Sequence, residues 1–177
     1  MISFVTGGVR SGKSLYALGL AGRYERSVFV ATAEPFDDEM SERIQRHRQE
    51  RGTSYPYIEE PVDLAGALHR VPPATEVAVV DCLTVWMGNL CFRKAGDCPR
   101  DLEGFPEVPG FLGAVATASF DLVLVSNEIG LGVIAADPAT RRFVELLGRL
   151  NQEVARLADR VVLLVSGLPL TVKGAPR

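Results

Sequence analysis

A chain of 177 residues is long enough to bury a full α/β core as one unit, and 47% hydrophobic against 23% charged residues excludes a disordered or fibrous chain. The net charge of −3, without long runs of one sign, excludes a general attraction to nucleic acid, and no apolar stretch reaches the roughly 18 residues that span a bilayer. Cys82, Cys91 and Cys98 are odd in number and lack zinc-site spacing, and no basic leader opens the chain, so reduced thiols in a cytoplasmic protein are expected.

In chain order, continuous apolar runs at 2–6, 27–31, 77–81, 122–126 and 161–165 predict five strands. They do not alternate with polar residues, which is the pattern of a parallel sheet covered on both faces. Helical patterns at 14–24, 38–49 and 139–157 lie between them. In the last, Phe143, Leu146, Leu147, Leu150, Val154 and Leu157 recur at helical spacing, with Asp137 placed to cap and Pro138 to fill the first turn. The segment 82–90 joins a strand end to helical spacing of Leu83, Trp86 and Leu90, which suits core or subunit packing. At 93–110, Pro99, Pro106 and Pro109 with Gly96, Gly104 and Gly110 interrupt any period, and an irregular surface excursion is expected there. Alternating strands and helices imply right-handed crossovers and an α/β fold, in one domain over 1–177.

The first strand runs into Gly7-Gly8-Val9-Arg10-Ser11-Gly12-Lys13-Ser14, which fits G-x-x-x-x-G-K-[ST]. Glycines let backbone N–H groups turn inward around phosphates where side chains would block them. Lys13 adds a point charge at the β/γ oxygens, and the Ser14 hydroxyl can bind Mg²⁺. The helix that follows aims its positive end at the same anion. The expected class is therefore a P-loop NTPase-like, RecA-like α/β fold, a mostly parallel sheet flanked by helices. Asp81 closes the third strand, where such sites place a second metal-positioning carboxylate, although an ordinary strand-end or cap aspartate has the same appearance.

The charged segment 37–51 begins acidic and ends basic, as a helix dipole favours. Met40, Ile44 and His47 share one face, with Arg43 and Arg51 a turn to either side of the histidine. Spacing alone favours a half-buried structural histidine. The alternative is a nucleophile whose nearby cations keep an imidazole nitrogen unprotonated. His69 precedes a Pro-Pro turn and reads as structural. Asn127 and Glu128 fall where the carboxyl edge of the sheet is expected. For Glu128, metal or substrate orientation and a capping or loop role are both open, and it stays outside the catalytic set.

Taken together, TGGVRSGKS at 6–14, ATA at 31–33, DDEMSERIQRHRQER at 37–51, EEP at 59–61, DCLTVWMGNL at 81–90, SNEIGLGV at 126–133 and RLNQEVARLAD at 149–159 resemble the bifunctional adenosylcobinamide kinase/adenosylcobinamide-phosphate guanylyltransferase family. The similarity runs in matching order over nearly the whole chain, leaving out mainly 94–118. The glycine loop is widely shared, whereas the RIxxHRxxR and SNExGxG blocks together are specific. The resemblance implies phosphorylation of the cobinamide aminopropanol hydroxyl, with ATP or GTP as donor. It then implies transfer of GMP from GTP to that phosphate through a GMP–histidine intermediate.

By the same resemblance His47 becomes the nucleophile, and Lys13 serves the phosphates. Nucleotide contacts fall on Gly7, Gly8, Val9, Arg10, Ser11, Gly12, Lys13, Ser14, Ala31, Thr32, Ala33, Arg48, Gln49, Glu50, Arg51, Glu59 and Asp81, with Ser14 and Asp81 on Mg²⁺. Relatives assemble as trimers, so a homotrimer acting on a small-molecule corrinoid is implied, with neither nucleic acid nor a membrane span. The chain departs from some relatives at Asp81, where they carry Glu, at Arg46, where they carry a second histidine, and at Tyr55, where Trp is frequent. The competing expectations are a single-activity P-loop kinase of another small molecule and a nucleotide-dependent regulatory switch.

Overall fold

The computed structural model describes residues 1–34, 55–93 and 98–175. Its strands are β1 (Ile2–Gly7), β2 (Ser27–Ala31), β3 (Tyr57–Glu59), β4 (Val77–Asp81), β5 (Asp121–Val125), β6 (Arg160–Val165) and β7 (Leu168–Lys173). Its helices are α1 (Lys13–Ala21), α2 (Leu64–His69), α3 (Leu83–Arg93), α4 (Glu107–Thr117) and α5 (Pro138–Leu157), with one 3₁₀ turn at Leu102–Gly104. The strands form one sheet in the order β3-β2-β4-β5-β1-β6-β7. Every pairing is parallel except β6 with β7. The strand after the glycine loop's own is thus not its neighbour: β5 lies between β1 and β4, an arrangement of P-loop NTPase-like folds.

The pleat sends alternate residues to opposite faces, and each face has its own core. Phe4, Val28, Val30, Ala78, Val80, Leu122 and Leu124 meet the face covered by α2, α3, α4 and α5. Val5, Phe29, Val77, Val79, Val123, Val125, Val162 and Leu164 meet Ala17, Leu20 and Ala21 of α1 on the other. Burial on both faces explains why the central strands read as unbroken apolar runs. Trp86 is fully buried, stacks tilted against Phe111 at 4.9 Å and donates its indole N–H to the Val62 carbonyl at 2.7 Å. Leu83, Trp86 and Leu90 therefore serve the core of the chain itself.

Two strands escaped the sequence pattern. β3 has only three residues, too few to show a period. β7 contains Pro169, which speaks against an interior strand but is tolerated at the sheet edge that β7 occupies. The irregular excursion expected over 93–110 needs a correction at its far end. Helix α4 starts inside it, because Pro106 stands at the N-cap and Pro109 in the first turn, where no N–H is required. Phe105 and Val108 are buried, so this part of the stretch belongs to the core.

Helix α5 begins as its sequence requires. The Asp137 carboxylate accepts the Thr140 N–H and hydroxyl, both at 2.7 Å, and Pro138 opens the first turn. The Thr140 hydroxyl first, and then its N–H, hold the Asp137 carboxyl below the usual aspartate value of 3.8. A depressed carboxylate adds stability that is present above the unfolded-state pKa and lost as pH falls through the folded one. Asp137→Ala is therefore expected to lower Tm at pH 7, with the gap closing below pH 3.8. Thermal melts of both proteins across that range check it, and a gap independent of pH would refute the charge-based cap.

Candidate functional site

The site is built where β1 ends. Gly7 turns at φ 147°, Arg10 at 55° and Gly12 at 96°, so the backbone coils back on itself before α1 starts at Lys13. A Cβ on Gly7 would lie 2.4 Å from the Leu164 carbonyl oxygen, so only glycine fits there. The first bond of the helix runs from Tyr16 N–H to the Gly12 carbonyl at 2.9 Å. Amides of the first turn ahead of it have no intrahelical acceptor, and together with the helix dipole they suit phosphate oxygens.

Lys13 is only 8% exposed. Its ammonium donates to the Gly8 carbonyl at 2.6 Å and to Ser11 Oγ at 3.4 Å. The charge thus stands over the mouth of its own loop. A phosphate oxygen offers it a shorter, charge-assisted bond than either neutral acceptor.

A feature missed in the sequence supports this loop from outside. β6 and β7 are joined by Ser166 and Gly167 at φ 51° and 85°, the double positive φ of a tight hairpin turn. The Gly167 N–H donates to the Ser11 carbonyl at 3.0 Å, and a Cβ on Gly12 would meet Gly167 Cα at 3.3 Å. The signal was present as Ser-Gly between two apolar runs. Gly12→Ala is expected to strain both the positive φ and this contact, weakening GTP binding at least tenfold while the chain stays folded. Calorimetric titration with GTP checks it, and unchanged affinity would count against a loop set by Gly12.

The register lines up the rest of the carboxyl edge. Glu59 pairs with Ala31, Ala31 with Asp81, Asp81 with Val125, and Val5 with Val125. Neighbours in register point to the same face, and Val77 and Val79 of β4 lie against α1. Asp81 projects to that side as well, two strands from β1 and so about 10 Å across the sheet. Glu59 is exposed at the end of β3. Its neighbour Glu60 is the anchor. Burial pushes the Glu60 carboxyl up, but the Asp63 N–H, Arg70 and the Val62 N–H outweigh it and leave it below the usual value.

Thr32 plays a different part from its neighbours. It is fully buried, and its hydroxyl donates to the Cys82 carbonyl at 2.8 Å and accepts the Cys82 N–H at 2.9 Å. Its own carbonyl takes Asn89 Nδ2 at 2.8 Å. This clasp ties the ends of β2 and β4 and so fixes where Asp81 stands. Ala31 is buried beside it and Ala33 is half-buried.

Glu128, left outside the catalytic set on sequence grounds, is tied to the loop. Its N–H donates to the Gly7 carbonyl at 3.0 Å. His47, Arg48, Gln49, Glu50 and Arg51, with the helix expected over 38–49, lie outside the described residues. His69 ends α2, away from the carboxyl edge. Burial and then the neighbouring Cys98 thiol push Cys91 up to about 12, so it stays a neutral thiol.

Ser14 and Asp81 are hard oxygen donors of the kind that Mg²⁺ takes alongside phosphate oxygens, so the donor chemistry fits that ion. Among the described residues no three His, Cys, Asp or Glu side chains converge on a metal position. No helix of the described residues is long and apolar enough to cross a membrane.

Comparison with known proteins agrees with this geometry. Residues 3–172 match the family model described as cobinamide kinase / cobinamide phosphate guanyltransferase. A protein of Pseudomonas aeruginosa named bifunctional adenosylcobalamin biosynthesis protein CobP is 39% identical over 99% of both chains. The bifunctional adenosylcobalamin biosynthesis proteins CobU of Escherichia coli and Salmonella typhimurium are 34% and 31% identical, over 98% of this chain and 100% of theirs. Among solved structures, a prototypical ATPase from a type III secretion system of pathogenic bacteria superposes with a TM-score of 0.55 at 12% identity. It covers 96% of this chain and 56% of the ATPase, a likeness of fold alone.

Proposed function

The chain belongs to the cobinamide kinase / cobinamide phosphate guanyltransferase family, and we propose that it carries out both steps of that chemistry in cobalamin biosynthesis. In the first, the hydroxyl oxygen of adenosylcobinamide attacks the γ-phosphorus of ATP or GTP. The bond to the bridging oxygen breaks, the nucleoside diphosphate leaves and the hydroxyl proton passes to water. In the second, an imidazole nitrogen of His47 attacks the α-phosphorus of GTP and pyrophosphate leaves. A phosphate oxygen of adenosylcobinamide phosphate then displaces the histidine, giving adenosylcobinamide-GDP.

The observation that carries this reading is the buried Lys13 ammonium in a loop coiled by the positive φ of Gly7, Arg10 and Gly12, on the sheet edge that also bears Asp81. These groups bind the triphosphate and stabilise charge on the departing diphosphate or pyrophosphate. Ser14 and Asp81 would hold Mg²⁺, which neutralises phosphate charge when bound. Covalent capture of GMP replaces one difficult transfer with two easier displacements. Glu59 and the arginines at 48 and 51 are assigned to the nucleotide on the strength of the resemblance.

Protein incubated with Mg²⁺ and GTP labelled at the α-phosphate is expected to acquire acid-labile, alkali-stable label that adenosylcobinamide phosphate discharges. Absence of label, or label that the acceptor leaves in place, would overturn the guanylyl-transfer half. The place of action is assigned to the cytoplasm and the active species to a homotrimer. The trimer is supported by the resemblance and by the exposed apolar row Leu168, Leu170 and Val172 on the edge strand β7. Light scattering should report three chain masses, and a monomer would refute the assembly.

A further inference from the structure

Between β5 and α5 the chain passes through Ile129-Gly130-Leu131-Gly132-Val133-Ile134. Leu131, Val133 and Ile134 are 80, 100 and 82% exposed, three large apolar side chains within four residues. Isolated exposed apolar residues are ordinary, but a cluster of them marks a contact surface.

The segment is framed at both ends. At its entry the Asn127 N–H donates to Thr84 Oγ1 at 2.7 Å, and the Asn127 carbonyl accepts Asn151 Nδ2 at 3.0 Å. One residue on, the Glu128 N–H holds the Gly7 carbonyl of the phosphate loop. At its exit Arg141 Nη1 donates to the carbonyls of Ala135 at 2.8 Å and Ala136 at 2.6 Å, directly before the Asp137 cap. Hydrogen bonds thus hold the apolar residues outward beside the nucleotide site, and the phosphate loop itself is one of the anchors.

The substrate hydroxyl must come within bonding distance of a phosphate held at Gly7–Ser14, so the ring that carries it lies no farther from that loop than the length of its aminopropanol arm, within reach of the surface that borders the loop. A corrinoid is a broad macrocycle with methyl-bearing faces and amide arms. It needs an apolar platform more than a set of charges. The segment has no Asp, Glu, Lys or Arg between Glu128 and Asp137, and a Cβ on Gly132 would meet nothing within 4 Å, which leaves the backbone open to a flat partner. We propose that Leu131, Val133 and Ile134 form the platform on which the corrinoid ring of the acceptor lies. This rests on the function proposed above and adds the acceptor-binding residues to it.

The test uses the full chain with all three residues replaced (Leu131→Ser, Val133→Ser, Ile134→Ser). All three are surface positions, and melting temperature confirms folding. The KM for adenosylcobinamide phosphate in discharging GMP-labelled protein is expected to rise at least tenfold, since each apolar side chain contributes about that much when covered. The KM for GTP in acquiring the label should stay within twofold. Equilibrium dialysis with adenosylcobinamide, a measurement independent of turnover, should show the same weakening. Unchanged corrinoid binding overturns the proposal. So does a change in solution mass, which would make the segment a contact between copies of the chain. Failure of the wild-type protein to take up label would count against the function instead, and dialysis would still decide the platform.

Discussion

Lys13→Met is expected to lower both corrinoid phosphorylation and GMP labelling by about a thousandfold, while the protein folds as before. Methionine keeps most of the stem that packs in the loop and removes the ammonium. What is lost is a charge that is 8% exposed, in a setting where water does little to screen it. Removing one well-placed donor from a developing charge typically costs a hundred- to a thousandfold in kcat, and a full positive charge belongs at the upper end. The Gly8 carbonyl loses its 2.6 Å partner in the variant, but it sits at the loop mouth where water can replace the ammonium. Lys13→Arg should restore little, because a planar fork cannot occupy the position of a compact ammonium between Gly8 and Ser11. Steady-state rates for both steps, with melting temperature as the control, check this. A loss under tenfold would remove Lys13 from the catalytic set.

His47→Ala is expected to separate the two steps. Label from α-labelled GTP should vanish, because the chain has two histidines and the second, His69, closes α2 away from the carboxyl edge. Phosphorylation of adenosylcobinamide should persist within a few-fold, since attack of a hydroxyl on the γ-phosphorus requires the phosphate loop and not the imidazole. Loss of a nucleophile that forms a covalent intermediate removes the step itself, so residual transfer below a thousandth of wild type is the expected scale. Quantified label per chain, with acid and alkali stability, provides the readout. Label surviving in the variant would sink the assignment of His47, and concurrent loss of the kinase step would show that the residue supports folding or nucleotide binding instead.

The phosphate loop was legible because its chemistry is local. A strand, two glycines at fixed spacing, a lysine and a hydroxyl are contiguous, and the conformation they require is set by their own φ preferences. Helix α5 was legible for the same reason, with Asp137, Pro138 and a sustained apolar stripe in one run. β3 and β7 were not. The first is too short to have a period, and Pro169 in the second has one meaning at a sheet edge and another in its interior. Position in the sheet decides between them, and position is a property of the whole chain. Helix α4 shows the same limit: Pro106 and Pro109 read as breakers until their places at the N-cap and in the first turn are known.

By itself, then, the sequence determined the α/β class, the nucleotide loop and, through blocks spread over most of its length, the family. Tertiary structure decided which residues stand beside that loop. Glu128 and Gly167 stand 121 and 156 positions along the chain from Gly7 and Ser11, yet their N–H groups close on those residues' carbonyls. Thr32 and Cys82 clasp across 50 positions to set Asp81 in place. Such pairings follow from strand order and register, which depend on how apolar faces are buried together. A hydrogen bond between distant residues leaves no periodic or compositional trace at either end.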